Sequence, residues 1–124
     1  MRKKNPDKWK DYKLIRGNEI YLCNRKSIEE DKEYNFYHFI LLAKDAIGHK
    51  QIRELSTRAW IDNSFTWVNI RTPTYYEDLF EIVESDRGHI IGSTACLGGR
   101  AAKLIMEAYN QNPLQPDYTG IRSG

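Results

Sequence analysis

Three side chains in this 124-residue sequence carry chemistry that apolar strands seldom contain: the carboxylate of Glu19, the imidazole of His38 and the thiol of Cys96. Each lies in, or directly after, a segment whose apolar pattern predicts a strand. Carboxylate, imidazole and thiolate together form a mixed ligand set that zinc accepts. Their spacing is too long for a metal motif in its own right, and the sequence has no CxxC or HExxH motif.

Each of the three also has an ordinary structural interpretation. A single histidine in an apolar strand, such as His38, is commonly a core imidazole bonded to a backbone carbonyl. Glu19 could form a buried ion pair with an Arg or Lys, because an unpaired buried carboxylate is costly. Cys96 could be a small apolar residue in a tight elbow. Cys23 and His89 are weaker candidates, because both fit an apolar strand position, and His49 and Tyr21 fit surface or supporting roles equally well.

The central stretch, residues 34–60, predicts the elements that position these side chains. Residues 36–43 form an apolar and aromatic run interrupted only by His38, which predicts a strand buried on both faces, as in a parallel sheet. After a turn the period changes, and the next apolar residues share one helical face. These residues are Ile52, Leu55 and Ala59. A buried strand followed by an amphipathic helix predicts an α/β domain.

Three segments precede this unit. Residues 1–13 are charged and contain Pro6, which predicts a flexible basic segment. Residues 14–23 predict two short strands, or one strand with a bulge, around the Arg16-Gly17-Asn18 bend. Residues 24–35 hold a run of charges without an apolar period, and we interpret them as a solvated loop.

Two further helices and one strand follow the unit. Thr74 stands three residues before Glu77, the spacing of a capping box, and predicts a helix over residues 75–84. Residues 89–92 predict a short strand, and a small-residue elbow then leads to a third helix that Pro113 ends. The expected architecture is a piece of a parallel sheet with crossover helices.

Composition excludes several functional classes. The 19 basic and 17 acidic residues give a net charge of +2, and the basic residues cluster only near the start of the chain, which is no footprint for a whole nucleic-acid-binding face. No apolar run approaches the roughly 18 residues that span a bilayer, so no membrane partner is expected. Two cysteines without secretory features predict free thiols and a cytoplasmic location. Without a Walker loop or a GxSxG elbow, nucleotide hydrolysis and serine esterase activity have no support.

Three stretches in the same order resemble a known family. They are GNEIYL at residues 17–22, YHFILLAKDAIGHKQIRELSTRAW at residues 37–60 and GHIIGSTACLGG at residues 88–99. Together they resemble the central part of the PHP (polymerase and histidinol phosphatase) domain of the bacterial and phage DNA polymerase III alpha subunit, a family C replicative polymerase. The resemblance covers residues 14–108.

The resemblance implies a fold and a ligand set. PHP domains are distorted barrels of parallel strands and helices, with metal ions at the carboxyl ends of the strands. The family's ligand positions match Glu19, His38 and Cys96, with zinc or manganese as candidate ions. Gly98 and Gly99, at the start of the following helix, are then expected to bind phosphate.

The sequence also departs from the family pattern. The histidine-x-histidine motif expected before residue 14 and the aspartate-x-histidine pair expected after residue 108 are absent, as are the polymerase palm and fingers. We therefore expect a barrel fragment of about three strands over residues 14–110, with a tail over residues 111–124. Open sheet edges would pair with the remainder of the alpha subunit or with a second copy.

The expected function follows from the resemblance. The parent protein would carry out template-directed DNA synthesis with magnesium, and the PHP segment would contribute to a metal-dependent phosphoesterase-type site. The fragment alone is expected to be inactive, because most ligands of the family are missing. Two alternatives stay open: a metal-free structural scaffold, and a stand-alone PHP-type phosphoesterase.

Overall fold

A four-stranded sheet with helices packed against one face forms the frame of residues 10–112, the part of the chain that the computed structural model describes. The strands are β1 (Gly17–Cys23), β2 (Tyr37–Ala43), β3 (Phe65–Thr66), β4 (Ile70–Arg71), β5 (Pro73–Tyr75) and β6 (Ile90–Thr94). The helices are α1 (Arg25–Glu29), α2 (Ala46–Thr57), α3 (Tyr76–Ser85) and α4 (Arg100–Gln111), and a π-helical turn (Arg58–Asp62) continues α2.

The sheet is mixed rather than parallel. Its strand order is β5-β1-β2-β6, and β2 pairs antiparallel with both β1 and β6. Only β1 and β5 pair in parallel. The expected parallel sheet is therefore wrong for two of the three strand pairs. The link from β1 to β2 contains only the short helix α1, and such a short connection favours chain reversal and antiparallel pairing.

The sheet stays open within the described residues. β5 and β6 form its two edges, and no closed barrel is present over residues 10–112. β3 and β4 form a separate two-stranded hairpin. The general expectation of an α/β arrangement is confirmed, whereas the barrel stays a prediction about a larger assembly.

The core lies on one face of the sheet. Ile20, Leu22 and Leu41 pack there against α2 and α3 through three further apolar side chains, which are Ile52, Leu55 and Ile82. Only Leu41 of β2 is fully buried, so the predicted burial of this strand on both faces is wrong. Because successive side chains of a strand alternate between faces, the other face of β1 and β2 carries Glu19 and His38.

α2 confirms the predicted helix after β2. Ile52, Leu55 and Ala59 are all buried, and each buried Ile or Leu stabilises the fold by roughly 1.5–3 kcal/mol. Asp45 caps the helix, accepting the Gly48 backbone N–H at 2.9 Å.

Two local predictions are wrong. Residues 24–35 are not all loop, because Asn24 caps α1 and the single apolar residue Ile28 anchors it beside Cys23. The helix predicted over residues 75–84 is present as α3, but Thr74 does not cap it: Thr74 is a buried residue of β5, and Tyr75 precedes the helix without a side-chain cap bond. Parallel pairing with β1 holds Thr74 in the sheet.

The last predicted elements are present. β6 includes most of the short strand predicted over residues 89–92, and α4 is the predicted third helix. Gly88, in the predicted turn, has a φ of +92°, a left-handed conformation that suits glycine. The proline predicted to end α4, Pro113, and the segments over residues 1–9 and 113–124 lie outside the described residues.

Candidate functional site

The register of β1 and β2 places Glu19 and His38 side by side. Tyr21 is directly opposite His38, and Glu19, two residues earlier, lies on the same face of the sheet. Glu19 Oε1 is 3.0 Å from His38 Nδ1, with side-chain exposures of 51% for Glu19 and 35% for His38. Glu19 is therefore not part of a buried ion pair, and His38 is not a sealed core imidazole.

The elbow between β6 and α4 brings Cys96 to the same histidine. Cys96 Sγ is 3.3 Å from His38 Nδ1, and the thiol is exposed. The backbone fixes this approach, because the His38 N–H donates to the Gly98 carbonyl at 3.1 Å. The elbow closes on itself through the Gly99 N–H, which donates to the Cys96 carbonyl at 2.9 Å.

The two glycines of the elbow pack against His38. A Cβ on Gly99 would lie 3.1 Å from the Cys96 carbonyl oxygen and 3.2 Å from that of His38, so a larger residue would push the elbow away. The Gly98 N–H donates to Cys96 Sγ at 3.3 Å. Both glycine N–H groups thus already donate hydrogen bonds to Cys96. Phosphate binding at Gly98 and Gly99 stays a prediction.

Two potential ligand atoms, Glu19 Oε1 and Cys96 Sγ, both lie within hydrogen-bonding distance of His38 Nδ1. Neutral His38 has a single proton for its two ring nitrogens, so Nδ1 cannot form a full hydrogen bond with both Glu19 and Cys96. Ligand atoms around a tetrahedral zinc ion with bonds of 2.0 to 2.3 Å lie about 3.3 to 3.6 Å apart. The 3.3 Å between His38 Nδ1 and Cys96 Sγ reaches this range, whereas the 3.0 Å between His38 Nδ1 and Glu19 Oε1 is shorter. The residue types are ones that zinc accepts.

The complete trio is not arranged as a finished metal centre. Among residues 10–112, no group of three or more His, Cys, Asp or Glu side chains has the arrangement needed to hold an ion. Glu19 and Cys96 each contact His38, and both contacts are made to the same atom, His38 Nδ1. Small side-chain rotations or additional ligands would be needed to surround an ion.

The position of the cluster differs from the expected one. His38 is the second residue of β2 and Glu19 the third of β1, so neither lies at the carboxyl end of its strand. The expectation drawn from parallel sheets is wrong here, because antiparallel pairing places the start of one strand beside the end of the next. Tyr21 supports the site, with its ring edge-on to the His38 ring at a centroid distance of 5.2 Å.

The remaining residues considered from sequence have other roles. Cys23 is fully buried, and burial raises the pKa of its thiol to about 12, which keeps it protonated. His89 lies between Asp45 and Asp86, with its ring nitrogens 2.6 and 3.0 Å from their carboxylates. The hydrogen bond to Asp45 is the main cause that raises the pKa of His89.

A basic cluster around His49 was missed by sequence reasoning. Arg16 and Arg53 both approach His49, although 37 residues separate them in the sequence. Arginines this far apart form no motif, so no sequence signal could have identified the cluster.

Comparison with known proteins identifies a likeness to DNA polymerases. The chain is 44% identical over 102 residues, 77% of its length, to "Probable DNA polymerase YorL" of Bacillus subtilis (strain 168). The same values hold for a "DNA-directed DNA polymerase" of Bacillus phage SPbeta. The matched segment spans 8% of the length of either relative. No protein-family profile matches the chain.

These comparisons confirm the predicted likeness to a DNA polymerase and leave its PHP part as a prediction. Within residues 10–112, no helix is long and apolar enough to cross a membrane.

Proposed function

We propose that this chain is a PHP-type segment of a replicative DNA polymerase of the polymerase III alpha type, and that it contributes part of a divalent-metal site. The observation that carries the proposal is the contact of His38 Nδ1 with both Glu19 and Cys96 on the sheet face opposite the core. The likeness to two DNA polymerases over 102 residues supports the choice of parent protein.

The metal would be held by Glu19, His38 and Cys96. The sheet register positions the carboxylate and the imidazole, and the glycine elbow positions the thiol. The Gly98 N–H donates to Cys96 Sγ at 3.3 Å and so orients the sulfur within the elbow. Zinc or manganese suits this donor set better than magnesium, which prefers oxygen ligands. A bound ion would supply Lewis-acid polarisation of a phosphoryl oxygen.

The polymerase chemistry belongs to the rest of the parent. Because the chain spans 8% of its relatives, we assign template-directed synthesis, with its magnesium ions and deoxynucleotides, to the remaining 92%. The segment would meet that remainder through the edge strands β5 and β6 or through the sheet face opposite the core. We expect the isolated chain to lack phosphoesterase activity, since three side chains do not complete a metal cluster.

The first test is the metal content of the purified 124-residue chain. The chain is incubated with zinc or manganese, dialysed and analysed by mass spectrometry. We expect close to one ion per chain in the wild type and none in the His38→Ala, Cys96→Ala double variant. The control His49→Gln removes an imidazole elsewhere and should keep the ion. A wild-type chain without metal would contradict a site formed by these three side chains alone and would leave the metal-free scaffold and a site completed by other ligands of the parent.

A second test addresses the polymerase assignment. The matched segment of the phage SPbeta protein is replaced by this chain, and primer extension is measured. We expect the chimaera to extend a primed template, because 44% identity preserves the packing that the rest of the protein needs. A folded but inactive chimaera would contradict the assignment, whatever the metal content of the isolated chain.

A further inference from the structure

A separate cleft lies at the opposite end of β2 from His38. Its volume is about 450 Å³, within the range of small-ligand sites, and Leu14, Arg16, Lys44, Asp45 and His49 line it. His38 lies near the start of β2, whereas Lys44 directly follows the end of the strand. The cleft therefore shares no residue with the candidate metal site.

Two guanidinium groups converge beside this cleft. Arg16 Nη1 and Arg53 Nη1 lie 3.0 and 2.7 Å from the same atom, His49 Nδ1. Neither arginine forms an ion pair among the described residues, whereas Arg25, Arg58 and Arg87 form ion pairs, and Arg71 and Arg100, which form none, lie over aromatic rings. Two adjacent like charges without a counter-charge repel each other, and a bound anion would remove that cost.

His49 contacts both guanidinium groups and, as a neutral imidazole, adds no positive charge to them. Desolvation of its ring, together with the charges of Arg53 and Arg16, lowers the pKa of His49. A neutral imidazole can accept an N–H from a guanidinium at Nδ1, which a protonated ring could not. His49 is thus a positioning residue that directs both arginines to one place.

Asp45 is the carboxylate in the lining of the cleft, and both of its oxygens already have hydrogen-bond partners. Asp45 Oδ1 accepts the Gly48 N–H at 2.9 Å, and Oδ2 is 2.6 Å from His89 Nδ1. Asp45 forms no ion pair with Arg16 or with Arg53. Lys44 adds a further positive charge to the lining, so the cleft favours an anion.

We propose that this cleft binds the phosphate backbone of a DNA strand, with Arg16 and Lys44 of its lining as contacts and with Arg53, which reaches the lining residue His49, as a third contact beside the cleft. Guanidinium groups match phosphate oxygens in charge and in planar donor geometry. Leu14, with 59% of its surface exposed, provides an apolar wall on which a sugar or base can pack. The choice of DNA as the source of the phosphate rests on the proposed function, whereas the phosphate chemistry follows from the cleft.

Binding of a fluorescein-labelled single-stranded oligonucleotide of about 16 nucleotides tests this inference by fluorescence anisotropy. We expect Arg53→Glu and Arg16→Glu each to weaken binding by about tenfold at low salt, because each replaces a charge-assisted contact by repulsion. The slope of log Kd against log salt concentration should fall by about 0.7 for each lost phosphate contact. Arg53→Lys keeps the charge but loses the planar pair of donors, so it should weaken binding less than Arg53→Glu does.

The matched control is Lys26→Glu, which makes the same charge change on α1, outside the cleft. We expect it to bind the strand as the wild type does. Equal losses in Lys26→Glu and Arg53→Glu would show attraction by net charge alone and overturn the proposal, as would unchanged binding by Arg53→Glu. Circular dichroism of each variant checks that it is folded, and Arg16→Gln provides a milder second variant.

Competition identifies the source of the phosphate. Inorganic phosphate at millimolar concentration and matched ionic strength should leave most of the oligonucleotide bound. Full displacement would assign the cleft to free phosphate and overturn the choice of DNA. Strand binding is measured with a chelator present, so failure of the metal proposal and failure of this inference give different results.

Discussion

Two histidines with carboxylate partners lie in this molecule, and their surroundings differ. His89 uses both ring nitrogens, with Asp45 at 2.6 Å and Asp86 at 3.0 Å. Its carbonyl also accepts the Lys44 N–H at 2.9 Å. His38 contacts Glu19 and Cys96, and both partners approach the same nitrogen.

This difference distinguishes a structural contact from a candidate binding site. The His89 ring has one partner for each nitrogen, so the cluster joins the start of β6 to the start of α2 and needs no further ligand. At His38 two partners compete for one nitrogen, which leaves bonding capacity at Glu19 and Cys96. Residue types alone therefore do not distinguish a binding site from a structural contact. The number of partners for each ring nitrogen must also be known.

The largest expected effect concerns the glycines beside the two histidines. A Cβ on Gly48 would lie 2.0 Å from the His89 carbonyl oxygen, whereas a Cβ on Gly98 would lie 3.5 Å from the His38 ring. We expect Gly48→Ala to lower the free energy of unfolding by about 3 kcal/mol. Gly98→Ala should change it by no more than about 0.5 kcal/mol. Urea unfolding of both variants measures the difference, and equal losses would show that the contacts at Gly48 relax easily.

The next effect is the pH dependence of the His89 cluster. Hydrogen bonding to Asp45 raises the pKa of His89 above its ordinary 6.5, so its stabilisation is complete below that pH and is lost as the pH rises through the raised pKa. We expect the urea midpoint to fall on the alkaline side of 6.5 in the wild type. His89→Gln should remove that fall. A variant with an unchanged pH profile would contradict the role of His89.

Asp45 determines the pH below which the same cluster stops stabilising the fold. The Gly48 N–H, followed by the hydrogen bond from His89, lowers the pKa of Asp45 below its ordinary 3.8. Its stabilisation is present above 3.8 and is lost as the pH falls through the lowered pKa. The cluster should therefore contribute most between 3.8 and 6.5. Asp45→Asn, measured by urea unfolding across this range, should weaken the acid-side loss.

The smallest expected effect on stability is that of Cys96→Ser, which should stay within about 0.5 kcal/mol because the thiol is exposed. Its chemical effect is larger. We expect a thiol reagent to modify Cys96 quickly and Cys23 only after unfolding, since Cys23 is buried. Zinc should slow modification of Cys96 in the wild type, and Glu19→Gln should reduce that protection. Fast modification in saturating zinc would count against Cys96 as a ligand.

Much of the local structure was predictable from residue patterns. The apolar run of β2 and the 3.6-residue period of α2 are strong local signals, and both elements are present. α1 was missed because one apolar residue, Ile28, cannot establish a period. Thr74 was misassigned because pairing with β1, a long-range contact, overrides its capping spacing.

Residue types and the family resemblance are enough to select Glu19, His38 and Cys96 as candidates for chemistry. The folded chain brings Glu19 and Cys96 to one nitrogen of His38, since that contact depends on the antiparallel register and the glycine elbow. It also brings Arg16 and Arg53 together at His49. The physical reason is that a side chain's chemistry is local, whereas its neighbours are set by backbone pairing and packing between residues far apart in the chain.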